Sequence, residues 1–176
     1  MPIIKNIITF EELSSLARPC SAEREDAEAM IAEAQRLEIK PRLGDALYLR
    51  VTAEDVDAKY STLLNGGQWE DCSKRPRLLT GIKTALAYYT QARLVRDGNI
   101  KISTYGAVVK DDQYSEDPQN SERQRQYREL FSQADAYMSE AIDYLRANAK
   151  DFPDFKACAK ASAGGSNRMT IRVIGK

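Results

Sequence analysis

The densest group of side chains with catalytic potential in this 176-residue chain is acidic: Asp111, Asp112, Glu116 and Asp117. Paired carboxylates serve glycosidases, which need one acid and one base, and magnesium-dependent nucleases, whose metal takes oxygen ligands. Both chemistries need a second acidic motif or a positioned base, and the sequence supplies neither beside this group. The segment reads as a solvated acidic loop. The composition contains no histidine. That removes serine–histidine and cysteine–histidine catalysis, histidine proton transfer and the usual zinc and haem ligation.

No phosphate cradle of the GxxxxGK[ST] or GxGxxG type is present. Gly66-Gly67 and Gly164-Gly165 lack the strand-before-helix setting such loops need and read as turn elements. Lys74, Arg75 and Arg77 could touch a phosphate, but three bases without interleaved aromatics fit a solvated helix entry better. Cys20, Cys72 and Cys158 are an odd number with no CxxC pair, so reduced, structural thiols are expected. Only Cys72, near Lys74 and Arg75, has a positive setting. No cofactor or metal is expected, and no enzymatic activity.

Lys+Arg and Asp+Glu balance at 26 each, which excludes the overall basic charge of a non-specific nucleic-acid binder. Locally the balance breaks. Residues 111–122 carry five acids and no base, and residues 156–176 carry five bases and no acid, so the two segments could meet within one chain or between neighbours. The first residues, MPIIK, lack the features of a secretory signal, and no stretch approaches the ~18 apolar residues of a membrane span. A chain that stays in the cell that makes it, with no membrane contact, is the expectation.

The elements follow from periodicity and punctuation. Thr9 and Glu12 have capping-box spacing, which predicts a short helix to residue 17. Ser21 then caps a second helix in which Ala27, Met30, Ile31, Ala34 and Leu37 recur until Pro41. A helical turn is expected after Pro41, and Thr52 offers a new N-cap for a helix with Val56, Tyr60, Leu63 and Leu64 inside, stopped by Asn65-Gly66-Gly67. A loop with the single tryptophan, Trp69, leads to a helix over residues 76–97 that is apolar nearly all round, Leu78, Leu79, Ile82, Ala85, Leu86 and Tyr89 on one face, and is capped at Gly98. Such a helix must be surrounded by others.

Residues 100–110 combine β-formers with a Tyr105-Gly106 break, the pattern of a small hairpin or extended loop. Tyr127, Leu130, Phe131, Ala134, Met138, Ala141, Ile142 and Leu145 then mark the longest helix, closed by Pro153. Tyr88, Tyr89, Tyr127, Tyr137 and Tyr144 are expected as half-buried core residues, some of them serving an interface. Residues 161–166 read as a flexible tether, and residues 168–174 alternate like a strand. The fold class expected is mainly α: a helical bundle with a long helix in its C-terminal half, a hairpin or extended loop around residues 100–110, and a C-terminal strand arm. Residues 1–160 form one helical domain and residues 161–176 the tether and arm.

Several runs together carry a resemblance: YSTLLNGGQW at 60–69, LTGIKTALAYY at 79–89, YGAVVK at 105–110 and the acidic DDQYS that follows. Over residues 40–145 the chain resembles small virion proteins of phages and prophages of gut Bacteroidetes, themselves similar to the head–tail connector, or head-completion, proteins of tailed phages. The resemblance rests on spacing and residue type, not on a catalytic signature. It implies a compact helical bundle that assembles as a homo-oligomeric ring beneath the portal, with loops and a terminal arm reaching portal, tail and neighbouring subunits. DNA passing through the ring would be contacted non-specifically. The location implied is the virion, and the bacterial host cytoplasm before assembly. A cytosolic helical adaptor of a bacterial complex unrelated to phage is the alternative.

An isolated strand cannot satisfy its own amides and carbonyls, so the C-terminal arm is expected to add to the 100–110 segment, in its own chain or a neighbour's. The expected interface residues are Ile100, Ile102, Tyr105, Val108 and Val109 on the loop, and Met169, Ile171 and Val173 on the arm.

Overall fold

The computed structural model describes residues 5–19, 22–97, 100–103, 106–109 and 120–155, with the segments in 100–109 described by their backbone. The architecture is mainly helical, with a long helix in the second half and small antiparallel hairpins, in agreement with the fold class read from the sequence. The arm at residues 168–174 and the tether before it lie outside the described residues, as does the predicted cap at Gly98.

Helix α1 (Phe10–Leu16) begins with the predicted capping box: Glu12 N–H donates to Thr9 Oγ1 at 3.2 Å, and Thr9 N–H to Glu12 Oε2 at 3.0 Å. Helix α2 (Arg24–Ala34) starts from Glu23, and Ser21, the expected cap, lies outside the described residues. The chain does not stop at Pro41. A π-helical segment (Gln35–Ile39) follows α2 directly, and α3 (Lys40–Leu43) carries Pro41 in its first turn. In an α-helix the proline ring presses against the carbonyl four residues back; the wider π turn displaces that carbonyl, and an N–H is not needed in a first turn. The helical run ends at Gly44, whose φ of 80° is open to glycine at little cost.

Helix α4 (Asp45–Val51) buries Leu47, Tyr48 and Val51. Thr52 closes this helix instead of opening the next, its N–H and Oγ1 both donating to Tyr48 O. Residues 54–59 are exposed, and Val56, expected inside, is 37% exposed. The next helical unit begins one turn later, as a 3-10 turn (Ala58–Tyr60) capped by Asp57 and continued by α5 (Ser61–Asn65). Tyr60, Leu63 and Leu64 are buried as the periodicity requires.

The largest departure lies between residues 66 and 81. Strands β1 (Gly67–Glu70) and β2 (Pro76–Leu79) form an antiparallel hairpin where a loop and the first turns of a helix were expected. Leu78, assigned to a buried helix face, is 70% exposed. The central helix α6 (Ile82–Asp97) therefore starts at Ile82. From there the expectation holds. Helix α6 packs against α1, α2, the π segment, α5 and the long α7 (Asn120–Ala147), and Ile82, Ala85, Leu86, Ala87 and Tyr89 are fully buried. The inner stripe of α7 is Leu130, Ala134, Met138, Ala141 and Leu145. Between the two helices, β3 (Ile100–Ser103) and β4 (Gly106–Val109) pair as the predicted hairpin. Among the described residues no helix is long and apolar enough to cross a membrane.

Candidate functional site

Arg93 lies near the C-terminal end of α6, its side chain 7% exposed. A guanidinium withdrawn from water must be paired and hydrogen-bonded. It donates through Nη1 to Glu33 and through Nη2 to Glu38 Oε1 at 2.9 Å. Glu33 and Glu38 are five residues apart, and in an unbroken α-helix at 3.6 residues per turn they would point about 140° apart. The π segment, whose bonds span five residues, as in Lys40 N–H to Gln35 O, brings both carboxylates to one side.

The other oxygen of Glu38 accepts from Arg42 Nη1 at 3.0 Å, and Arg42 Nη2 reaches Asp135 on α7 at 2.7 Å. Tyr89 on α6 donates its hydroxyl to the same Asp135 oxygen, and the Arg42 guanidinium lies over the Tyr89 ring, 5.1 Å from its centre. Burial, and then the hydrogen bond to Asp135, push the Tyr89 phenol well above the ordinary tyrosine range. Burial pulls Arg42 down, but Glu38, Tyr89 and Asp135 together outweigh it and raise the guanidinium further. With both Glu38 oxygens engaged and both arginines charged, the chemistry of this cluster is that of a clamp. It joins α2, the π segment, α3, α6 and α7. Beside it, Gln35 straps the N-terminal segment down, accepting from Ile7 N–H at 2.7 Å and donating to Lys5 O and Tyr48 Oη.

The β1–β2 hairpin projects from this body. Its inner face is anchored by Trp69, which meets the Tyr144 ring edge-on at 5.4 Å, and by buried Leu79. Asp71 builds the tip: its Oδ1 accepts from Ser73 N–H at 2.8 Å and from Arg75 N–H at 3.0 Å, and its Oδ2 from Arg77 Nε at 3.4 Å. The bonds from Arg75 and Ser73 amides, with Arg77 alongside, hold the Asp71 carboxyl below its usual range. Lys74 adopts φ 57° to close the turn. Lys74, Arg75 and Arg77 thus stand exposed on a braced tip, not at the helix entry expected from the sequence, and Cys72 is exposed beside them.

Of the residues assigned to an interface from the sequence, the strand register pairs Ile100 with Val109, Ile102 with Ala107 and Lys101 with Val108, which brings four of them into one hairpin. Tyr105, Met169, Ile171 and Val173 lie outside the described residues, as do Asp111, Asp112, Glu116 and Asp117. Among the described residues, no group of three or more potential metal ligands comes together. Tyr88, Tyr127, Tyr137 and Tyr144 are half-buried as expected, whereas Tyr89 is fully buried; Tyr88 and Tyr137 meet edge-on at 5.2 Å, and Tyr89 meets Phe131 at 5.0 Å.

Sequence reasoning missed the clamp. The signal was Arg93, an arginine inside a helix read as apolar on nearly every side, since such a charge demands carboxylates from neighbouring elements. It also missed the first hairpin, where Gly66 and Gly81 bracket the stretch and mark a break at each end.

No curated protein and no solved structure matches this chain. Arg42, Tyr89, Arg93, Asp135 and the whole β1–β2 hairpin fall within the segment matched by a family model, whereas Glu33 and Glu38 precede it. The chain belongs to this family, DUF6712, a family of unknown function whose model matches residues 39–165.

Proposed function

We propose that this protein is a non-catalytic structural subunit of a phage or prophage virion, a connector between the portal and the tail that works by self-association and docking. Its partners are further copies of itself, portal and tail proteins, with non-specific contact to DNA passing through a ring. Its location is the virion, after assembly from the host cytoplasm. The observation that carries the reading is the division of labour in the described residues. The buried ionic groups are spent on clamping helices together, while the projecting element, the β1–β2 hairpin, is a braced basic tip with an exposed leucine. Rigid bodies with projecting hairpins suit assembly, because little order has to be gained on docking.

The resemblance in residues 60–69, 79–89 and 105–110 supports the same reading, since these runs build α5 with β1, the start of α6, and β4. Light scattering on the purified full chain, with negative-stain electron microscopy, tests it. A ring-sized oligomer, or co-purification with a portal protein expressed alongside, is expected. A monomer at all concentrations that ignores portal would sink it in favour of an adaptor unrelated to phage.

A further inference from the structure

The outer face of the β1–β2 hairpin has no partner among the described residues. Its register sets Leu78 opposite Gln68 and Pro76 opposite Glu70, all exposed, with Leu78 70% exposed. At the tip, Lys74 and Arg75 side chains make no ion pair among the described residues, whereas Arg77 is held by Asp71. The complementary chemistry stands elsewhere on the same chain. Between α4 and the 3-10 turn, Glu54 and Asp55 are exposed and without an ion pair among the described residues, next to the exposed Val56. Their neighbours are already occupied: Asp57 caps Lys59 N–H, and the Lys59 ammonium lies 4.8 Å from the Tyr60 ring centre.

We infer that the hairpin of one copy docks on residues 54–56 of another copy, Leu78 against Val56 and Lys74 and Arg75 against Glu54 and Asp55. This rests on the self-association proposed above and names its contact. Each surface joins an aliphatic side chain to two charges without an ion pair among the described residues, and the charges are opposite, which is the complementarity that selects register and partner. The two surfaces are unlike, so a symmetric pairing of hairpin with hairpin would set base against base. The contact is therefore head-to-tail: an open row of copies always ends in one free hairpin and one free acidic loop, so the assembly propagates until these meet and close it as a ring.

Sedimentation velocity of the full chain at low and high salt, with two charge-reversed variants, tests this. In K74E/R75E and in E54K/D55K, each alone, self-association weakens by about tenfold or more, because like charges now face each other. An equimolar mixture of the two variants assembles again as an alternating oligomer, since each then offers the other an opposite charge. Circular dichroism and unfolding midpoints of both variants match the parent. Variants that assemble as well as the parent overturn this contact while leaving self-association standing. A mixture that stays dissociated overturns it as well. A parent chain that is monomeric throughout overturns the self-association reading itself, and the contact with it.

Discussion

Gly66 and Gly81 lie back to back where the chain leaves α5 and where it enters α6. A Cβ on Gly66 would stand 2.5 Å from Leu79 O, and one on Gly81 would stand 2.6 Å from Gly66 N, both against backbone. Both residues have positive φ, 88° and 96°. The β1–β2 hairpin is thus pinched at its base by two glycines that admit no side chain. Gly81→Ala should lower stability by at least about 2 kcal/mol, since left-handed strain alone costs ~1–2 kcal/mol and the clash adds to it. Denaturant unfolding checks this, and a loss below about 0.5 kcal/mol would show that the pinch relaxes freely.

The clamp makes a graded prediction. Glu38, its side chain 15% exposed, serves Arg93 and Arg42 at once, whereas Glu33, 47% exposed, serves Arg93 from the rim. Removing one member of a buried pair costs ~3–5 kcal/mol because the remaining charge is stranded, but an exposed pair contributes ~0–1 kcal/mol. Glu38→Ala should therefore destabilise far more than Glu33→Ala. Equal effects in chemical denaturation would mean that the network shares its load evenly.

Leu86 and Leu78, both placed inside a helix by sequence pattern, now separate. Leu86 is fully buried and Leu78 is 70% exposed. Leu86→Ala should cost ~2–5 kcal/mol through lost burial and a cavity. Leu78→Ser should stay within about 0.5 kcal/mol in the monomer. Thermal unfolding of the two variants side by side tests the hairpin assignment.

Acid should act on the start of α1. Burial raises Glu12, but the Lys83 ammonium at 2.7 Å and the Thr9 amide outweigh it and hold the carboxyl below its ordinary value. A lowered folded value means that the unfolded chain takes up the proton first. The stability from Glu12 is then fully present above about pH 4.3, the ordinary glutamate value, and is lost as pH falls through the lower folded value. The stability gap between the parent and Glu12→Gln should be constant from pH 7 to pH 5 and shrink below that. A gap that widens on acidification would contradict the sign.

For the second hairpin, whose valines the sequence pattern assigns to an interface, replacing Val108 and Val109 together by Ser should leave helix content intact and weaken assembly through lost interface burial. Light scattering and circular dichroism read the two effects separately. Unaltered assembly would remove this hairpin from the interface, and loss of the folded monomer would place it in the core.

What the amino-acid sequence determined by itself was local. The Thr9–Glu12 capping box, the apolar circumference of α6, the stripe of α7 and the pairing of β3 with β4 depend on residues within a few positions of one another or at helical spacing, and all appear where periodicity and turn chemistry put them. Tertiary structure decided the rest, for reasons that span the chain. The run through Pro41 stays helical because a π turn makes room for the ring, and that turn is held where Gln35 and Glu38 find Tyr48, Arg42 and Arg93. Residues 76–79 read as helix by hydrophobic spacing, yet become a strand. The backbone contact of Gly66 with Gly81 forms only when the end of α5 meets the start of α6, and the seat of Trp69 on Tyr144 and the Glu140 carboxylate taken by Thr80 N–H and Oγ1 at 3.0 and 2.7 Å act only once α7 is in place. An ion pair such as Arg93 with Glu38, separated by 55 residues, leaves no periodic trace in a sequence; it exists because a helix packed on every side has only other helices from which to draw its counter-charges.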